Sequence, residues 1–214
     1  MKNSSIIGIF NYKNCNLRSL ENALRIVNVK YEISNIFKDL TKFDKIILPG
    51  VGNMKNINSE NMEMLSKEIL TYSHNGGIIY GICLGLQMLF DYSKESESGT
   101  LGLIKGSSIS VKESFQMKLN VNFNKLLMNK NHYKNEIIKN LFKDIGSESE
   151  FYFLHSYYCD NKDKDTMVIN CKIQQNLMPS LFLKKNFLGT QFHPELSKGP
   201  GLKFLKNFSD LKVS

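Results

Sequence analysis

The chain has 214 residues, 42% of them hydrophobic, 11% aromatic and 22% charged, which suits one well-buried core and excludes disordered, collagen-like and coiled-coil chains. Apolar runs such as Ile46-Ile47-Leu48 and Ile78-Ile79-Tyr80 fall far short of the ~20 residues a bilayer-spanning helix needs, so no membrane-embedded protein is expected. The formal net charge of +8 rests on lysine, Arg18 and Arg25 being the only arginines among 28 basic residues, and the lysines form no basic run, so a nucleic-acid partner is not expected either.

Ser5 to Phe10 reads as a strand, too short and lacking the cleavage pattern for a signal segment, so a cytoplasmic chain is expected. A helix follows from Leu17, with Leu20, Leu24 and Val27 on one face. A second strand, Lys45 to Leu48, ends at Pro49-Gly50. An amphipathic helix spans Ser59 to Tyr72, with Met62, Leu65, Ile69 and Tyr72 inward, and stops at His74-Asn75-Gly76-Gly77. A third strand, Ile78 to Ile82, runs into Cys83 and a helix carrying Leu86, Leu89 and Phe90. This alternation predicts βαβ units and a parallel sheet. Further strands are predicted at Ile109 to Lys112, Phe151 to Tyr158, Met167 to Ile173 and Leu181 to Phe192, with a helix near Asn135 to Phe142 and another from Gly201. Such successive strands suit antiparallel additions. With no repeat and no linker composition, a single α/β domain over 1–214 is expected.

The four cysteines, Cys15, Cys83, Cys159 and Cys171, include no CxxC pair and are too few for a disulfide scaffold. Gly81-Ile82-Cys83-Leu84-Gly85 sits where a buried strand turns into a helix. It is the thiol counterpart of a G-x-S-x-G nucleophile elbow, whose glycines let backbone crowd together so that a strained residue projects from the sheet edge. A helix N-terminus beside the sulfur favours the thiolate. The alternative is a small buried core cysteine.

A thiol nucleophile needs a proton carrier and a group to orient it. His74 and His132 lie in polar surface segments, and His155 within a strand reads as a satisfied core histidine. In Gln191-Phe192-His193-Pro194-Glu195, residues two apart in extended chain share a side, so Glu195 can orient His193 toward the sulfur. Attack on a carbonyl also needs donors for the oxyanion. Pro49-Gly50-Val51-Gly52, at the end of a central strand, can turn backbone N–H groups into the same crevice. Gly52, Cys83 and His193 can therefore converge, although Pro49-Gly50-Val51-Gly52 alone would also serve as an ordinary turn.

Leu48-Pro49-Gly50-Val51-Gly52, Gly81-Ile82-Cys83-Leu84-Gly85-Leu86-Gln87, His155-Ser156-Tyr157-Tyr158 and Gly189-Thr190-Gln191-Phe192-His193-Pro194-Glu195 together resemble the class I (triad) glutamine amidotransferases, and more narrowly the glutaminase subunits of imidazole glycerol phosphate synthase. The resemblance implies a flavodoxin-like α/β fold with a central, mostly parallel sheet and extra antiparallel strands in the C-terminal half. It implies that Cys83 attacks the side-chain amide of L-glutamine to give a thioester, while His193, oriented by Glu195, protonates the departing ammonia and then activates water. It also implies that Gly50, Gly52 and Leu84 serve the oxyanion or substrate through backbone groups, and that Gln87, Ser156 and Tyr157 hold the amino-acid end of glutamine. No cofactor or metal is implied. The implied partner is a (β/α)8-barrel cyclase subunit in a heterodimer, which receives the ammonia and makes imidazole glycerol phosphate and AICAR in histidine biosynthesis.

Two segments depart from the family. Asn11-Tyr12-Lys13 replaces its Asp-Tyr-Gly, and Asn120-Val121-Asn122-Phe123-Asn124 replaces its His-Met-Gly-Trp-Asn. Both lie toward the partner in the family, so the acceptor of the ammonia is less constrained than the hydrolysis of glutamine. A paralogous subunit feeding a sugar-amidating synthase of surface-sugar biosynthesis is one alternative. A catalytically silent binding module of the same fold is another, which the intact Cys83, His193 and Glu195 disfavour.

Overall fold

The computed structural model describes residues 6–12, 17–34, 40–50, 52–57 and 59–212. Its first half alternates strands and helices: β1 (Ile7–Phe10), α1 (Arg18–Ile26), β2 (Tyr31–Ser34), β3 (Lys45–Leu48), α2 (Ser59–His74), β4 (Ile78–Ile82) and α3 (Leu84–Leu89). The second half is richer in strands: β5 (Phe90–Ser93), β6 (Ser98–Gly99), β7 (Ile104–Ser110), α4 (Val111–Phe115), β8 (Asn120–Lys125), α5 (Glu136–Leu141), β9 (Glu150–His155), β10 (Tyr157–Asn161), β11 (Met167–Ile173), β12 (Asn176–Lys184), β13 (Phe187–Thr190) and α6 (Lys198–Asp210).

Seven strands form the central sheet in the order β11-β12-β13-β4-β3-β1-β2. The run from β13 to β2 is parallel, and β12 and β11 add antiparallel to its outer edge. The mostly parallel α/β sheet with late antiparallel strands is thus the architecture expected. Burial on both faces explains the continuous apolar strands. Alternate residues enter opposite cores: Ile7, Ile9, Ile47, Tyr80 and Ile82 face the side packed by Leu20 and Leu24 of α1 and Phe204, Leu205 and Phe208 of α6. Ile46, Leu48 and Ile79 face the side packed by Met62, Leu65, Ile69 and Tyr72 of α2 and by Leu86 and Leu89 of α3. At the lower edge, buried Lys45 donates to the Ser209 carbonyl at 3.0 Å, tying the end of α6 to the start of β3.

Several element expectations need correction. Strand β2 was not expected, because its residues are half-buried or exposed and carry no apolar run. Phe90 opens β5 instead of extending α3. Val111 and Lys112 belong to α4, capped by the Ser110 hydroxyl, so the strand expected over Ile109 to Lys112 is the end of β7. The stretch Phe151 to Tyr158 is two strands broken at Ser156, with β9 paired to β8 and β10 paired to β7. Leu181 to Phe192 is likewise divided, between β12 and β13. Cys15 and Lys13 lie outside the described residues, as does Val51.

Candidate active site

Cys83 follows β4 directly and holds φ 45° and ψ −97°, a conformation that L residues rarely adopt and that surrounding structure must enforce. Its N–H donates to the Thr190 carbonyl at 2.7 Å, and its own carbonyl accepts from the Gln87 N–H at 3.0 Å. The flanking glycines are a steric requirement. A Cβ on Gly85 would lie 2.0 Å from the Leu48 carbonyl oxygen, and one on Gly81 would lie 2.5 Å from the Gly85 carbonyl oxygen. Helix α3 has only six residues, so its dipole offers the sulfur modest help. Side chains must do more.

His193 and Glu195 supply part of that help. His193 Nδ1 lies 2.8 Å from Glu195 Oε1, the two side chains being 1% and 6% exposed. A carboxylate only accepts, so Nδ1 carries the hydrogen and Nε2 is free for the sulfur. The expected same-side geometry arises differently from the expectation: His193 is extended, but Glu195 sits in the 3₁₀ turn Pro194–Leu196. Burial opposes charge on His193, yet the Glu195 carboxylate and the nearby Cys83 sulfur outweigh it and hold the imidazole well above its ordinary pKa. Its backbone is fixed as well: the His193 N–H donates to the Tyr152 carbonyl at 2.8 Å, and the Ser197 hydroxyl donates to the His193 carbonyl at 2.6 Å.

Cys83 and His193 open on a pocket of about 210 Å³ that Gly50, Gly52, Leu84, Gln87, Ser156 and Tyr157 also line. The structure therefore brings every substrate-side residue named from the sequence to one site, with Glu195 behind His193. Drug-sized ligands usually occupy ~300–1,000 Å³, so the volume suits a single amino acid. Gln87 is 4% exposed, and its Oε1 has no hydrogen-bond partner among the described residues. A buried acceptor without a donor is destabilising, and a ligand N–H would satisfy it.

Two polar residues gain roles at the site that the sequence did not suggest, and a third, His155, does more than expected. Glu95 lines the pocket, accepts from the Met54 N–H at 3.4 Å and is pushed up by burial, which the Met54 N–H and nearby Lys55 only partly offset. In Ser93-Lys94-Glu95-Ser96 nothing distinguishes it from a solvated charge. Gln191, fully buried, directs Nε2 to the Cys83 sulfur at 3.6 Å. His155 is the satisfied core histidine expected, but it also walls the pocket. Its Nδ1 donates to the Tyr157 carbonyl at 2.8 Å, which leaves Nε2 to accept from Asn120 Nδ2 at 2.9 Å. Burial pushes its pKa down to about 4.

A larger groove of about 680 Å³, between α5 and α6 at the start of β4, is lined by Lys143, Lys203, Lys206 and Lys212 among others, with no cysteine or histidine among the described residues that line it. Among the described residues, no three His, Cys, Asp or Glu side chains converge to hold a metal ion.

A strained cysteine at the carboxyl end of a parallel sheet shares its pocket with a carboxylate-oriented histidine, the arrangement a cysteine nucleophile with a general base requires, and residues 11–211 match the profile of the glutamine amidotransferase class-I family. The chain belongs to that family. It is 37% identical over 209 residues to the imidazole glycerol phosphate synthase subunit HisH of Methanocaldococcus jannaschii, with 96% of this chain and all of that protein aligned. It is 30% identical over 211 residues to the HisH subunit of Bacillus subtilis, with 96% of each aligned. Among solved structures, a glutamine amidotransferase superposes with a TM-score of 0.69 at 16% identity, covering 96% of this chain and 99% of its own. PurLQS from Thermotoga maritima superposes with a TM-score of 0.67 at 18% identity, covering 95% and 97%. These two likenesses concern the fold.

Proposed function

We propose that this chain, a single amidotransferase domain over residues 1–214, is the glutaminase subunit of imidazole glycerol phosphate synthase in histidine biosynthesis, hydrolysing L-glutamine to glutamate and ammonia. The observation that carries this reading is that Cys83 and His193 line one pocket of amino-acid size, with His193 held 2.8 Å from Glu195 behind it. The near full-length similarity to HisH subunits supports the histidine pathway over sugar amidation.

In this reading the Cys83 thiolate attacks the side-chain amide carbon. The oxyanion is received by backbone N–H groups at Gly52 and Leu84, with Gly50 letting the chain pass closely. The protonated His193 gives its proton to the departing nitrogen, so ammonia leaves and a thioester remains. The now neutral imidazole takes a proton from water, whose oxygen attacks the thioester and returns the electron pair to sulfur. Gln87 Oε1 and the Glu95 carboxylate suit the α-ammonium, and backbone groups of Ser156 and Tyr157 the α-carboxylate. Glutamine hydrolysis coupled to a second subunit requires ammonia to be shielded from water, which would protonate it. A (β/α)8-barrel cyclase is the partner we assign. Exposed Leu119 and Leu154 at the pocket, with exposed Val121 paired to Leu154 across β8 and β9, offer it an apolar surface. A cytoplasmic setting fits such a pathway.

The test incubates the chain and its cyclase partner with a glutamine-analogue diazoketone and maps the adduct. Modification at Cys83, blocked by glutamine, is expected. Loss of labelling at Cys83 with the partner present would instead favour a silent binding module. Restoration of growth without histidine in a strain lacking its own glutaminase subunit distinguishes the histidine pathway from sugar amidation.

A further inference from the structure

Gln191 is an unusual residue for the position it holds. It is fully buried, on the segment joining β13 to His193, and its backbone N–H donates to the Ser180 carbonyl at 2.8 Å. Its side-chain Nε2 points at the Cys83 sulfur, 3.6 Å away, while its Oε1 has no hydrogen-bond partner among the described residues. An apolar side chain of the same size would leave no acceptor stranded there. The amide therefore weakens the fold where it stands, and among the described residues its donor end has one target, the nucleophilic sulfur.

We propose that Gln191 is a fourth catalytic side chain, donating an N–H hydrogen bond to the Cys83 thiolate. This deepens the glutaminase reading and rests on it for its kinetic consequence. A thiolate is a strong acceptor and a thioester sulfur a poor one, so the bond differs across the cycle. It is made in the free enzyme, lost when the sulfur electron pair forms the S–C bond and ammonia leaves, and regained when water attack breaks that bond and the pair returns to sulfur. Gln191 thus holds the attacking sulfur anion in place and eases its departure from the acyl-enzyme. His193 alone cannot do the second task, because it is then engaged with water.

The groups that titrate around the sulfur are His193 with Glu195 behind it, His155 at the end of β9, Glu95 across the pocket and Cys159 of β10. Gln191→Met changes none of them and keeps the side-chain length. The experiment follows carboxamidomethylation of Cys83 by iodoacetamide in the full chain from pH 5 to 9, read by peptide mass spectrometry, alongside thermal melting. In Gln191→Met, alkylation near pH 6 is expected to slow about tenfold and to recover by pH 9, with melting at or above the wild-type temperature. Gln191→Glu, which sets a carboxylate beside the sulfur, should shift the profile further and provides the same readout if the Met variant folds poorly. With the cyclase partner, kcat should fall while KM for glutamine changes little, and acyl-enzyme should accumulate. An unshifted alkylation profile in both variants would overturn the proposal. Alkylation needs no glutamine turnover, so a shifted profile in a chain that fails to hydrolyse glutamine would sink the glutaminase reading and leave the hydrogen bond standing.

Discussion

At the scale of single residues, the site separates groups that react from groups that aim them. Removing the nucleophile closes the covalent path, so Cys83→Ala should abolish glutamine hydrolysis, by about 10⁵-fold or more. Ammonia-dependent turnover by the cyclase partner should continue, and assays with glutamine and with ammonium chloride would separate the two. Glu195 acts through His193. Glu195→Gln, which keeps the shape but invites the wrong imidazole tautomer, should lower kcat by about 10²–10⁴-fold and leave the ammonia reaction alone. A loss equal to that of Cys83→Ala would mean that Glu195 does more than orient the base. The reacting trio was legible because elbow glycines and a His-x-Glu spacing are local patterns with a chemical reason. Glu95 and Gln191 were not. Their roles exist only because the turn after β5 and the segment after β13 are brought to one pocket by tertiary packing, and no local periodicity encodes that.

At the scale of elements, the elbow depends on how closely α3 follows the ends of β3 and β4. Gly85→Ala would push a methyl to 2.0 Å from the Leu48 carbonyl oxygen. Neither backbone can yield without moving Cys83, so a destabilisation of about 1–3 kcal/mol is expected. A displacement near 1 Å at a nucleophile costs about 10²-fold in rate. Gly199→Ala in α6, where none of the described residues lies within 4 Å of the added methyl, should be neutral or stabilising by up to ~1 kcal/mol. Thermal melting and glutaminase assays of the pair test the steric argument, and equal behaviour of the two variants would refute it. The same scale explains what the pattern of residues left unread. Central strands β1, β3 and β4 announce themselves because both faces are buried, whereas edge strand β2 has only weak patterning. The break at Ser156 is invisible in Phe151 to Tyr158 because each half is apolar enough to be a strand. Only the diverging partners, β8 for one and β7 for the other, split it. That split is what leaves Ser156 and Tyr157 at the pocket.

At the scale of the whole molecule, two buried histidines pull stability in opposite directions with pH. His193, with its pKa raised by Glu195 and Cys83 against the effect of burial, favours folding fully below the unfolded value near 6.5 and loses that contribution as pH rises through its raised folded value. His155 does the reverse. Burial lowers its pKa to about 4, so between about 6.5 and 4 the unfolded chain binds a proton that the folded chain refuses. Stability therefore rises with pH across that window and is lost on acidification, by up to about 3 kcal/mol over the whole interval. Below about 4 the slope should vanish, since both states are then protonated. The loss bears on function because protonated His155 can no longer accept from Asn120. The β8–β9 pair and the Ser156-Tyr157 wall of the pocket are anchored through that contact and the Tyr157 carbonyl. His155→Gln should lower stability at neutral pH through lost packing, yet lose less on going from pH 7 to pH 4.5 than the wild type does. Urea unfolding of both proteins at half-unit pH steps gives the difference, which contains the His155 proton together with its repulsion of charged His193. Parallel stability curves would mean that His155 takes up its proton in the folded protein as readily as in the unfolded one. In that case the Asn120 amide would have to turn its oxygen toward Nε2, and the strand pair would survive acid through that rotation.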